Sequence, residues 1–137
     1  MFNPVSTDDY VAITDQMGRY CHYIDEGEAE AWAACYTPDG VFDGPATPAP
    51  VGGHAALAGF ARGTAETFKG NMRHQVANLT CDYGASRDEV IARLYNLVTT
   101  WSEGGTATLM AVCKVTFVRT GEGWRIKRNA YRLLGMG

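Results

Sequence analysis

An α+β domain is predicted by three features of the chain. Apolar positions recur at helical spacing near the N-terminus. Three long threonine-, valine-, leucine- and tyrosine-rich runs occupy residues 90–101, 108–118 and 124–134. Turn residues and glycines separate those runs, and no proline interrupts them, which is the pattern of an antiparallel meander. Helices come first and long strands last, so the expected order is α-α-β-loop-α-β-β-β-β, one domain over residues 1–137. Helices packed on the concave side of such a sheet leave room for a small-molecule pocket.

The first helix opens at Ser6-Thr7-Asp8-Asp9, where a hydroxyl caps the free N–H groups and the acids sit near the positive helix end. Val11, Ile13, Met17, Tyr20 and Ile24 supply its apolar face, and Gly27 ends it. Residues 28–36 form a second helix with Trp32, Cys35 and Tyr36 on an inward stripe. Thr37-Pro38-Asp39-Gly40 has turn chemistry, residues 41–43 make a short strand, and the Gly/Pro-rich residues 44–53 a loop. A third helix runs over residues 53–68, its glycines making it dependent on packing. Residues 73–83 form a strand and 84–88 the hairpin turn into the long sheet.

Composition narrows the function. A net charge of −3 supplies no cationic footprint for nucleic acid. No apolar run reaches the length of about 18 residues needed to span a bilayer, and Met1-Phe2-Asn3-Pro4 lacks a signal-peptide pattern, so a cytoplasmic protein is expected. Cys21, Cys35, Cys81 and Cys113 are scattered and read as buried thiols. His22, His54 and His74 show no metal-ligand spacing, and the chain has neither G-x-G-x-x-G nor a phosphate loop, so no metal and no cofactor are expected. Arg125, Lys127, Arg128 and Arg132 are expected to coat the outer side of the last strand.

Two positions draw attention as acid–base groups. On the strand over residues 73–83, alternation places His74, Val76, Asn78 and Thr80 on one face. If that face is covered by the helices, His74 is a general acid or base; if it faces solvent, His74 is a surface histidine. Asp25 lies late in the first helix, where a carboxylate is electrostatically unfavourable unless it has a partner, and a strand histidine whose tautomer it fixes is a suitable one. Asp43, at the end of the first strand, is either a functional acid or a turn residue.

The chain resembles the NTF2-like superfamily, specifically its SnoaL-like branch of polyketide cyclases, scytalone dehydratase and ketosteroid isomerase. The resemblance is carried by Tyr20-Cys-His-Tyr-Ile-Asp25, by Trp32 through Asp43, by Gly53-His-Ala-Ala-Leu, by Arg73-His74-Gln-Val-Ala-Asn78 and by Gly123-Trp-Arg-Ile-Lys-Arg128. It implies a cone-shaped fold, helices on a curved, mixed and mostly antiparallel sheet around a pocket. It implies a cofactor-independent dehydratase, cyclase or isomerase acting through an enolate on a small apolar carbonyl compound. The dehydratase pattern maps an Asp–His dyad onto Asp25 and His74 and a carbonyl-steadying tyrosine onto Tyr23; in the enzyme expected here Asn78 joins Tyr23 in positioning the oxygen. Thr100 stands near the place of a second dehydratase histidine, and Cys113 or Lys114 near that of a dehydratase asparagine. The isomerase pattern maps its base onto Asp43 and its oxyanion tyrosine onto Tyr20. Trp32, Phe42, Phe60, Tyr95 and Trp101 are the expected pocket aromatics. The same resemblance implies a homodimer, or a higher homo-oligomer, through the outer face of the sheet. It also carries a non-catalytic alternative, a small-ligand binder or an oligomer scaffold like the β subunit of ring-hydroxylating dioxygenases.

Overall fold

The computed structural model describes residues 2–135. Three helices, α1 (Thr7–Asp25), α2 (Ala29–Ala34) and α3 (His54–Phe68), pack on a six-stranded sheet. The strands are β1 (Tyr36–Asp43), β2 (Val51–Gly52), β3 (Met72–Tyr83), β4 (Glu89–Thr100), β5 (Thr106–Thr120) and β6 (Gly123–Leu133). Their order across the sheet is β2-β1-β6-β5-β4-β3, and every neighbouring pair is antiparallel except β1 and β6. The α+β architecture is thus the one expected, with a mixed sheet that does not close.

Ser6 caps α1 by accepting a hydrogen bond from the Asp9 N–H, and Ile13, Met17, Tyr20 and Ile24 turn inward. Gly27 ends the helix region with φ +75°, and a Cβ there would sit 3.3 Å from that of Ala65 on α3. On the sheet, Val90, Ala92, Leu94, Val115, Phe117 and Ile126 are all buried beneath the helices. His54 Nε2 lies 2.8 Å from the Tyr36 carbonyl and ties the start of α3 to β1.

Three sequence expectations are corrected. The second helix stops at Ala34, and Tyr36 already pairs with Ile126, because the turn-like Thr37-Pro38-Asp39-Gly40 is a bulge inside β1 rather than a turn before it. The supposed loop over 44–53 ends in β2, whose Val51 and Gly52 pair with Phe42 and Val41. Most consequential is β3. Its register shifts between Ala77 and Thr80, and Asn78 takes a left-handed φ of +55°. Asparagine tolerates that conformation, and the extra residue inverts the alternation downstream. Asn78 therefore leaves the face of His74 and is exposed on the outer side. A similar shift in β6 leaves both Lys127 and Arg128 exposed and brings Asn129 inward.

Candidate active site

The helices and the concave face of the sheet enclose a cavity of about 560 Å³. Trp32, Phe42, Phe60 and Tyr131 form one wall, with neighbouring ring centroids 4.8–5.8 Å apart in tilted and edge-on arrangements. No Asp, Glu, Lys or Arg lines the cavity among the described residues. A charged ligand group would lose its hydration there without a counter-charge, so the space favours neutral, largely apolar molecules.

His74 lines this cavity, and Asp25 stands behind it. One Asp25 oxygen accepts the His74 backbone N–H at 2.9 Å, and the other lies 2.5 Å from His74 Nδ1. An ionised carboxylate only accepts, so Nδ1 carries a proton in this pair. Both side chains are largely buried, at 15% exposure for His74 and 6% for Asp25. Two bonds to one carboxylate hold the ring's position as well as its tautomer. Nε2 is left for the cavity. The acid at the end of α1, unfavourable in isolation, is satisfied by two N–H donors from β3.

Deeper in, Tyr20 Oη lies 2.9 Å from Tyr36 Oη and accepts from Asn129 Nδ2 at 3.1 Å. Burial above all, with Tyr36 beside it, raises the Tyr20 phenol well above its ordinary pKa, and burial does the same for Tyr36. Both remain neutral hydrogen-bonding groups at physiological pH. Tyr131 Oη accepts the Ala46 N–H at 2.9 Å, fixing the Gly/Pro-rich segment against the cavity wall. Gly44 makes that approach possible, since a Cβ there would fall 2.1 Å from the Tyr131 ring. Cys113 also lines the cavity, its thiol pushed up to about 12 by burial.

Of the residues singled out from sequence, Asp25, His74, Tyr20, Trp32, Phe42, Phe60 and Cys113 converge on this site. The others lie off the cavity lining. Tyr23 is half-buried beside Arg19. Asp43 receives a hydrogen bond from Arg128. Asn78 and Tyr95 border a separate depression on the outer face of the sheet. Thr100 ends β4 opposite Met72 and Thr106, and Trp101 is 55% exposed with its indole N–H donated to Thr99. Three further cavity residues, Asn96, Asn129 and Tyr131, are not among those singled out from sequence. Asn96 carried a signal, as a polar residue in the inward frame of Val90, Ala92, Leu94 and Val98. Asn129 and Tyr131 were hidden by the β6 register shift.

Residues 5–130 match the SnoaL-like domain model. The chain belongs to the SnoaL-like family. Its fold is shared with an NTF2-like protein of cystatin-like fold from Novosphingobium aromaticivorans, 26% identical, with a TM-score of 0.85 over 95% of this chain and 84% of that one. A protein from Catenulispora acidiphila in complex with S-DNPA is also 26% identical, with a TM-score of 0.79 over 93% and 95% of the two chains. ActVI-ORFA from Streptomyces coelicolor is 17% identical, with a TM-score of 0.82 over 93% and 98%, a likeness of fold alone. Among curated proteins nothing matches this chain. Among the described residues of this SnoaL-like chain, no helix is long and apolar enough to cross a membrane, and no group of His, Cys, Asp and Glu could hold a metal ion.

Proposed function

We propose that this SnoaL-like protein is a cofactor-independent acid–base enzyme that moves a proton beside a carbonyl group of a small, neutral, largely apolar compound. The carrying observation is the Asp25–His74 pair set in the wall of an uncharged aromatic cavity. His74 Nε2 takes the proton from the carbon next to the carbonyl, and the electron pair moves onto oxygen as an enolate. Asp25 holds the ring in place and offsets the imidazolium charge. Tyr20 is the donor to the enolate oxygen. Asn129 donates to its phenol oxygen, and either phenol of the Tyr20–Tyr36 contact can be the donor, so in the proposed complex Tyr36 donates to Tyr20 and the Tyr20 proton turns to the ligand. The imidazolium then returns its proton to carbon, giving isomerisation or exchange, or to a departing hydroxyl, giving dehydration.

Solvent isotope exchange tests this without knowledge of the natural substrate. Protein saturated with 1-tetralone in D₂O is expected to exchange the α-protons, read by proton NMR, and His74→Gln is expected to lose about 10²–10⁴-fold of that rate. Binding without exchange in the wild type would point instead to a ligand-binding module.

The same reading includes association through the outer sheet face, where Tyr95 is 46% exposed beside the half-buried Leu97, Met110 and Val112. Light scattering is expected to give a dimer, and Tyr95→Glu a monomer. A wild-type monomer at micromolar concentration would remove this part.

A further inference from the structure

Asn96 is a buried carboxamide whose oxygen has no hydrogen-bond partner. It is 8% exposed, its side chain makes no hydrogen bond among the described residues, and Oδ1 is a buried orphan. Its neighbours on the inward face of β4, Leu94 and Val98, are apolar. A buried polar group without a partner costs about 1–3 kcal/mol, and a leucine of nearly the same shape would avoid that cost. An unpaired amide at such a place is a stability sacrifice whose return is sought in function.

Its position says what that function is. Asn96 lines the same cavity as His74, directly opposite Val76, while His74 stands opposite Val98. The two residues are therefore diagonal neighbours on adjacent strands, a relation that separates such residues by about 7–8 Å and their Cβ atoms by somewhat less. A ring system with its carbonyl side at His74 extends across that distance to the amide. The carboxamide both donates and accepts, and its terminal torsion is soft, so a modest turn of the amide plane presents Oδ1 to a ligand hydroxyl.

We propose that Asn96 is a substrate-positioning residue that binds a hydroxyl group on the ring system of the ligand, remote from the carbon that loses its proton. This rests on the proposed carbonyl chemistry for the choice of ring ligand, but the hydroxyl subsite itself needs no proton transfer. Trp32 Nε1 and Asn129 Oδ1 are further buried orphans of the same cavity. They extend the pattern of polar points held ready in an otherwise apolar space. Asn129 is already tied to Tyr20 through its Nδ2, which leaves Asn96 as the freer of the two amides.

Asn96→Leu tests the inference through two readouts. The first is thermal unfolding of the ligand-free protein, where the variant is expected to gain roughly 2–6 °C because the orphan amide is gone. The second is calorimetric binding of 1-tetralone and of its 5-, 6- and 7-hydroxy derivatives. At least one hydroxytetralone is expected to bind the wild type about tenfold tighter than 1-tetralone. That preference is expected to fall within about twofold in Asn96→Leu, with 1-tetralone affinity unchanged. His74→Gln should keep the preference, so loss of isotope exchange in that variant leaves the subsite standing. A variant less stable than the wild type overturns the proposal, because the amide would then be structural. It is overturned equally if none of the four compounds binds, if none of the hydroxylated ones is preferred, or if the preference survives in Asn96→Leu.

Discussion

Asp25 and His74 meet twice, once through the backbone N–H of the histidine at 2.9 Å and once through Nδ1 at 2.5 Å. The double contact separates the structural role of the carboxylate from its chemical one. Asparagine can still accept the backbone N–H, whereas alanine leaves it buried and unpaired. Asp25→Ala is therefore expected to lose about 2–3 kcal/mol in urea unfolding and Asp25→Asn clearly less, yet both should lose most α-proton exchange. Equal activity in Asp25→Asn and wild type would show that the carboxylate only braces the fold.

A second acid ties the start of α1 to the sheet. Asp9 accepts from the Tyr83 hydroxyl and from Arg119, and these bonds hold its carboxyl below the ordinary value against the opposing effect of burial. A carboxyl depressed by folding stabilises the protein above the unfolded-state pKa, and that contribution is lost as the pH falls through the folded one. Asp9→Asn is expected to melt a few degrees below wild type at pH 7. The two curves of Tm against pH should converge in acid, below the depressed value. A constant gap down to pH 2 would assign the loss to packing.

Gly44 and Tyr131 act as a fitted pair. A methyl group at Gly44 would lie 2.1 Å from a Tyr131 ring carbon, so Gly44→Ala is expected to cost about 1–3 kcal/mol by overpacking. Adding Tyr131→Leu removes the ring, and the double variant should be more stable than additivity predicts. Additive losses would mean that the segment at 44–50 bends away freely.

The thiols are expected to be inert in the native state. Burial pushes Cys21 and Cys113 up to about 12 and Cys35 and Cys81 to about 11, so almost no thiolate exists at pH 8. Iodoacetamide at that pH should leave all four unmodified until the protein is unfolded, as read by intact mass. Rapid native labelling of Cys113 would reveal a cavity that admits the reagent and favours the anion.

Much of this arrangement was legible from local chemistry. The Ser6 cap, the glycine after α1 and the alternation in β4 each follow from side-chain sterics and hydrogen bonding within a few residues. The partner for Asp25 was legible too, because an acid at a helix C-terminus needs one. Bulges were the hidden element. The extra residue near Asn78 and the shift before Arg128 depend on pairing with strands far along the chain, and each reverses which face later residues occupy. That is why Asn78 was placed inward while Asn129 and Tyr131 were overlooked. The parallel pairing of β1 with β6 is likewise a long-range outcome, invisible in the turn-like residues 37–40.

Through its carboxylate Asp25 commits His74 Nδ1 and leaves Nε2 to the cavity. Nitrogen-15 NMR of histidine-labelled protein, with the ring in its neutral form, measures this directly. A protonated Nδ1 and an unprotonated Nε2 are expected for His74 in the wild type, with loss of that single-tautomer signature in Asp25→Ala. A neutral His74 protonated at Nε2 would contradict this.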